Sequence, residues 1–481
     1  MQIVVIGAGI VGLTTAALLL KAGHRVTVLE AQTYPGGSAG TFFHKGYRFD
    51  AGATLAGGFQ PGGPHTRLAE ILDLTYPTRP IQDAGWVVHL PHRQIFQWSD
   101  PQKWQEEMNR HFPYSRSFWK LQRFLANRVW DLSSRSVPLP PQSVREGIAL
   151  LKALRPDTLG TVPFFFSRVK DVFPRQWTAE FKTFVDAQLL ISAQTTSEHA
   201  SLLYGSAAMD LPRRGIHMVE GGMGTLSSVL VDWIRNHGGR VLFREEVTHV
   251  EVQKGRAHQV RTRKGNTYPC DALVANMTPW GWAKVLGDSL PEAIQKEIQQ
   301  TRRMWGAFVI HLGVDASTVN TPITHHQIIG SIEQPLGETN SIFLSLSPLD
   351  DPSRAPEGMR AATLSTHTEP LGWFSLSEEA YQRRKAQYTE QCLSLVEREF
   401  PGFRSAIRLC LAGTPRTYAF YTRRPWGMVG GFPQTSLIHI RGPQSGLPNA
   451  WLVGDSVFPG QSTAGVTLGA MRVANLILQS L

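Results

Sequence analysis

Gly7-Ala8-Gly9-Ile10-Val11-Gly12 separates the β-branched run Gln2-Ile3-Val4-Val5 from a stretch rich in Leu, Ala and Thr, Val11 to Lys21, that Gly23 closes. A second β-branched segment, Arg25 to Glu30, follows. The pattern predicts strand, helix and strand, with Gly23 as the left-handed residue that ends the helix. In such a unit Gly7 permits a tight turn, Gly9 lets the backbone approach a pyrophosphate, and Gly12 lets the helix pack against the strand. The helix N-terminus then faces the phosphate charge. Glu30 stands 18 residues after Gly12. An acid at that point accepts both ribose hydroxyls of an adenosine and disfavours a 2′-phosphate. The stretch reads as dinucleotide-binding.

Outward from this unit, 481 residues amount to about three domains at roughly 150 residues each. With 42% apolar and 18% charged residues, the chain has too little charge for a disordered polypeptide. Its three cysteines, Cys270, Cys392 and Cys410, lie far apart and make neither a disulfide framework nor a zinc-ligand pair. The net charge of +10 favours anionic surfaces in general. The Arg-Arg pairs at 213–214, 302–303, 383–384 and 423–424 are isolated, and with no recognition module nucleic acid is not expected as a partner. Met1 to Leu20 lacks the basic start of a secretory signal, its first lysine being Lys21. Gly7, Gly9 and Gly12 break the same stretch as a membrane span.

Further on, Trp86–Leu90 and Ile95–Trp98 predict an antiparallel hairpin, and Phe118, Leu121, Leu125 and Val129 mark one face of a helical insertion between Pro101 and Arg155. Pro138-Leu139-Pro140-Pro141 punctuates this region. A helix is expected from Gly221 to His237, strands at Arg240–Glu246, Val247–Val252 and Cys270–Ala275, and a final strand and helix at Ala450–Val453 and about Gly465–Leu478. A second glycine loop, Pro35-Gly36-Gly37-Ser38-Ala39-Gly40, follows Glu30, and Phe49-Asp50-Ala51-Gly52-Ala53-Thr54 comes soon after. A nicotinamide dehydrogenase has no need of a second loop there. FAD does, because its pyrophosphate, ribityl chain and ring continue inward and need backbone donors. Gly454-Asp455, after the last strand, fits an acid delivered to the ribityl or pyrophosphate region, and the helix at Gly465-Val466 aims its positive end at the ring. The expected cofactor is FAD.

Together with Glu220-Gly221-Gly222-Met223-Gly224-Thr225-Leu226 and Gly413-Thr414-Pro415-Arg416-Thr417, these motifs resemble the phytoene desaturase and carotenoid isomerase group of FAD oxidoreductases along the whole chain. The small residues Gly36 to Gly40 look like the isomerase branch. Ala53 to Gly63, with Arg423-Arg424-Pro425-Trp426-Gly427 and Gly430-Gly431, look more like the cyanobacterial carotenoid 3′,4′-desaturases of myxoxanthophyll synthesis. The resemblance implies an α/β fold: a Rossmann-like FAD domain built from both chain ends, a mixed-sheet substrate domain and a helical membrane-facing insertion. It divides the chain into cofactor segments 1–85, 216–285 and 441–481 and substrate segments 86–215 and 286–440. It also places the strand Arg244–Val250 near the adenine, with Val247 as a cofactor contact. The implied partners are an apolar polyene, a membrane surface on the cytoplasmic side, and an unidentified electron acceptor.

A desaturase holds a flat apolar chain against the flavin, and the cofactor performs the hard step. Few polar catalysts are needed, and no catalytic residue is assigned. Phe164-Phe165-Phe166, Phe420-Tyr421 and Trp426 are candidate tunnel walls or core. His217 and His325-His326 have no third metal ligand at suitable spacing. Ile148, Leu150, Leu151 and Leu154, with Phe164–Phe166, Lys152, Arg155, Arg168 and Lys170, have the mixture of an interfacial segment or of a substrate-domain helix. Carotenoid isomerisation, amine oxidation and a non-enzymatic lipid carrier are the alternative functions.

Overall fold

The computed structural model describes residues 1–135, 141, 144–153, 155–300 and 304–480. Pro138-Leu139-Pro140, Leu154 and Arg302-Arg303 fall outside these residues. Five parallel strands form a sheet in the order Arg240–Leu242, Arg25–Leu29, Gln2–Ile6, Ala272–Asn276 and Ala450–Val453. The first strand is central, Ile3 pairing with Val26 on one side and Ala272 on the other. Ile3, Val4 and Val5 are wholly buried, which is why this strand reads as an unbroken apolar run rather than an alternation. Helices Ile10–Lys21, Gly224–Asn236 and Thr463–Ser480 cover one face through Leu13, Leu230 and Ile477. The antiparallel strands Val247–Gln253, Arg256–Thr262 and Thr267–Pro269, with helix Pro279–Leu286, cover the other through Val250, Val260 and Trp282.

A mixed seven-stranded sheet runs Ile407–Gly413, Gly306–Asp315, Met359–Thr368, Ser341–Leu346, His325–Ile329, Ala84–Leu90 and Arg93–Trp98. The expected hairpin is its edge, and His326 meets Val87 in a parallel pair. Alternation along Gly306–Asp315 decides what each face does: Phe308, Ile310 and Leu312 pack beneath helix Glu378–Glu399, while Ala307, Val309 and His311 face a cavity. Phe118 and Leu125 of helix Arg116–Ser134 are buried in the helical region and Leu121 and Val129 pack beside them, as their spacing predicts.

One predicted strand is shorter than expected. The segment Arg240–Glu246 ends as a strand at Leu242. Arg244 then turns left-handed, with φ 59°. The N–H groups of Arg244 and Glu245 donate to the carbonyls of Gln32 and Glu30, so these residues hold the loop after the second strand instead of extending the sheet.

Candidate active site

A cavity of about 1020 Å³ opens where the parallel strands end and meets the inner face of the seven-stranded sheet. This is the position that open α/β sheets use for ligands. Of the residues predicted to hold a cofactor, Gly7, Gly9, Glu30, Gly36, Gly37, Ser38, Gly52, Ala53, Val247, Gly454, Asp455 and Val466 all line it. Gly7 and Gly36 have φ 92° and 113°, conformations that need glycine. The two glycine loops lie side by side, Gly9 bridging Gly36 while the Gly36 N–H donates to the Ala8 carbonyl at 2.8 Å. The Ala53 N–H donates to the Ser38 carbonyl at 3.0 Å, which packs the Gly52-Ala53 turn on the second loop.

Glu30 ends the second strand with its carboxylate already oriented. One oxygen accepts the Ala8 N–H at 2.7 Å and the other the Gln32 N–H at 2.8 Å. Burial pushes its carboxyl above the ordinary range, opposed by these two backbone donors. Both oxygens keep a lone pair for ribose hydroxyls. Glu30→Ala is expected to weaken FAD binding by about 1–3 kcal/mol, through the lost charged acceptor and the released Ala8 and Gln32 amides. Titration of apoprotein with FAD measures it, and an unchanged affinity would remove Glu30 from the site.

One assignment changes, that of Gly465, while Gly12 keeps the packing role its spacing predicts. Gly12 does not line the cavity; a Cβ there would stand 2.2 Å from the Gly7 carbonyl oxygen, so this glycine serves the crossing of helix and turn. Gly465 does not line it either. The last helix begins at Thr463, and the Gly465 N–H donates to Ser462 Oγ at 3.1 Å. Asp455 lines the cavity, but Arg424 holds its carboxylate in a two-pronged ion pair at 2.8 and 2.9 Å. Arg424 and Asn276 were missed as site residues. Asn276, at the end of its strand, sends Nδ2 to within 2.6 Å of where a Gly9 Cβ would lie; the only hint in the sequence is a polar residue closing an apolar strand.

These residues fit FAD. The glycine pair forms a cradle that side chains would fill, and Thr463 Oγ1, at the N-terminus of the last helix, is buried without a partner among the described residues. FAD, when bound, supplies a two-electron acceptor. Beyond the cradle the cavity runs between Trp86, Leu190, Met209, Ile216, Val309, Ile342 and Phe343. Burial pushes His311 and His367, in this same wall, down to about 3 and about 4, so both are neutral. His217, His325 and His326 do not line the cavity. His325 meets the Thr54 carbonyl at 3.2 Å, and His326 meets His89 at 3.0 Å, which meets Glu399 at 2.9 Å. Of the aromatic candidates only Tyr421 lines the cavity; Phe166 and Phe420 are exposed, Phe164 and Phe165 pack against the helical core, and Trp426 packs on Trp280.

The chain is 28% identical over 499 residues to prolycopene isomerase 2 of an Oncidium hybrid, covering 99% of this chain and 84% of that protein. It is 24% identical over 507 residues to the neurosporene-forming phytoene desaturase of Cereibacter sphaeroides, covering 98% and 93%. An oxidoreductase from Methanosarcina mazei superposes over 99% of this chain and all of its own, with TM-score 0.68 at 19% identity. A putrescine oxidase variant does so over 99% of each, with TM-score 0.63 at 15% identity. The family of flavin containing amine oxidoreductases matches residues 10–478, from the first glycine loop to the last helix, and the chain belongs to that family of FAD-dependent oxidoreductases.

Proposed function

We propose that the chain dehydrogenates a carotenoid at a terminal single bond, the 3′,4′ bond, one carbon passing a hydride to FAD and its neighbour losing a proton to water as the double bond forms, with the electrons going onward to an acceptor outside the chain. The observation that carries this reading is the apolar arm of the cavity, continuous with the glycine cradle and walled by Trp86, Leu190, Met209, Ile216, Val309 and Phe343. Neutral His311 and His367 put no charge beside an apolar chain. The four carboxylates in the cavity wall, Glu30, Glu245, Glu246 and Asp455, are engaged by backbone amides, Lys264, Arg263 and Arg424 respectively, so none stands ready for an ammonium group. A single drug-sized ligand takes about 300–1000 Å³. The cavity, about 1020 Å³, lies at the upper end of that range.

The higher identity to prolycopene isomerases, 28% against 24% for the desaturase, favours a second reading, cis-to-trans isomerisation on reduced FAD. Purified holoprotein given an all-trans carotenoid with an electron acceptor and, separately, a poly-cis carotenoid with its flavin reduced distinguishes them. The expected product absorbs at longer wavelength and has lost two hydrogens. A product of unchanged mass supports isomerisation instead, and no product from any carotenoid overturns both.

We further propose attachment to the cytoplasmic face of a membrane. No helix among the described residues is long and apolar enough to cross one. Val144, Leu151, Val162 and Phe166 are 83%, 68%, 60% and 81% exposed, beside exposed Lys152 and Arg155. Arg168 and Lys170 are engaged with Glu198, so they contribute less to lipid binding than their sequence context implies. Leu151→Asp with Phe166→Asp is expected to lower partitioning into anionic vesicles at least ~tenfold, given about 1.5–3 kcal/mol per buried side chain. Unchanged flotation of that variant would place the contact elsewhere.

A further inference from the structure

Residues 414–427 run along one wall of the cofactor cavity without joining either sheet as a strand. Strand Ile407–Gly413 precedes them, and the bridge between Met428 and Gly306 follows. Between these anchors the chain forms helix Pro415–Thr422 and then two left-handed residues, Arg423 and Trp426, at φ 59° and 55°. Gly427 also has positive φ, 64°, and a Cβ there would lie 1.9 Å from the Pro415 carbonyl oxygen, so the end of the segment folds back tightly on its start.

Side chains and single hydrogen bonds tie the segment to each piece of the cofactor domain. The Tyr418 hydroxyl donates to the Ala51 carbonyl, and the Gln32 amide donates to the Tyr421 carbonyl at 2.5 Å. Consecutive arginines then reach in different directions. Arg423 pairs with Glu246 at 3.1 Å, and Arg424 grips Asp455. Arg263 and Arg423 hold the Glu246 carboxyl below the ordinary range, so it is ionised for this pair. Glu246 precedes the strand that carries Val247, and Asp455 follows the last parallel strand; both carboxylates line the cavity. Arg424 Nε is buried and has no partner among the described residues. A guanidinium with a donor to spare at the wall of a site for a pyrophosphate-bearing cofactor has an acceptor available once that cofactor is seated.

We propose that Arg423 and Arg424 are positioning residues that fasten this strap across the seated FAD, so that the Arg423–Glu246 and Arg424–Asp455 pairs set the rate at which the cofactor leaves. The proposal rests on the FAD assignment and adds a kinetic role to a segment outside the glycine loops. The half-exposed outer pair is screened by salt, whereas the forked inner pair is screened less.

The test follows flavin fluorescence as purified holoprotein is diluted into flavin-free buffer at low and high salt. Wild-type release is expected to speed up with salt. Arg423→Gln is expected to release FAD about two- to fivefold faster at low salt and to flatten the salt dependence. Arg424→Gln is expected to release it about tenfold faster or more, with Arg424→Lys between the two because one contact survives. A purely structural contribution would lower the melting temperature without changing the salt slope. Wild-type release that is insensitive to salt, or Gln variants that release FAD at the wild-type rate, overturns the strap. Wild-type protein purified without flavin would overturn the cofactor assignment as well. Arg423→Gln removes the half-exposed pair with Glu246, which Arg263 still engages, and a contact to the Phe420 carbonyl, and circular dichroism checks its fold, so the result is readable even where Arg424→Gln is unstable.

Discussion

Gly9→Val is expected to give a folded, colourless protein. Gly9 has φ −68° and ψ 163°, extended backbone open to any residue, so no strain follows from its conformation. Space is the constraint. A Cβ at this position stands 2.6 Å from Asn276 Nδ2, and the cavity lies alongside. Asn276 can rotate away from one methyl. Valine brings two more, on a stiff β-branched carbon, into the volume through which the pyrophosphate must pass. Gly12 would be a poorer probe, because its Cβ would meet the Gly7 carbonyl and disturb the turn itself. The expected loss of affinity is at least about 3 kcal/mol, more than a hundredfold, combining overpacking with lost backbone contacts to the phosphates. Flavin absorbance per protein, with circular dichroism to confirm folding, measures it. Full flavin retention by Gly9→Val would falsify the placement of the pyrophosphate against the first glycine loop.

Both halves of that prediction were legible in the sequence because they depend on short-range patterns. A β-branched run, three glycines and an acid at a fixed spacing specify a strand, a turn and a ribose contact with few alternatives. Ala450–Val453 was legible for the same reason, being a short apolar run before Gly454-Asp455. The rest of the site depends on pairings between distant residues. Arg424 and Asp455 are separated by 31 positions, and an Arg-Arg pair reads as a solvated surface until the fold brings a carboxylate to it. The seven-stranded sheet joins His326 to Val87, a parallel pairing with no local signal, because strand preference reflects packing neighbours more than backbone chemistry. Gly465 was misplaced by two residues of helix start: with Thr463 as the first helical residue, its N–H turns inward to Ser462 and does not face the cavity.

Asp50→Ala is expected to cost about 3–5 kcal/mol of stability, because it leaves a buried guanidinium unpaired. Asp50 and Arg354 are 5% and 6% exposed. One carboxylate oxygen accepts the Met223 N–H at 2.8 Å and the Thr41 hydroxyl at 2.6 Å, and the other accepts Arg354 Nη2 at 2.9 Å. Arg354 also donates to the Arg48 carbonyl at 3.0 Å. The pair thus connects the hairpin Thr41–Asp50, the start of helix Gly224–Asn236 and the segment before strand Met359–Thr368, three parts of the chain with no covalent proximity. Asp50→Asn keeps the geometry and loses the charge, so its cost should be smaller than that of Ala. Asp50→Ala with Arg354→Met removes both ions, and should recover part of the loss. Urea unfolding of the two single variants and the double variant measures the coupling; additive losses would mean that the pair contributes no interaction energy of its own. Ala51, Gly52 and Ala53 follow Asp50 directly and line the cofactor cavity, so the same substitution should also raise the dissociation constant for FAD. A destabilised protein with unchanged FAD affinity would separate this ion pair from the site it adjoins.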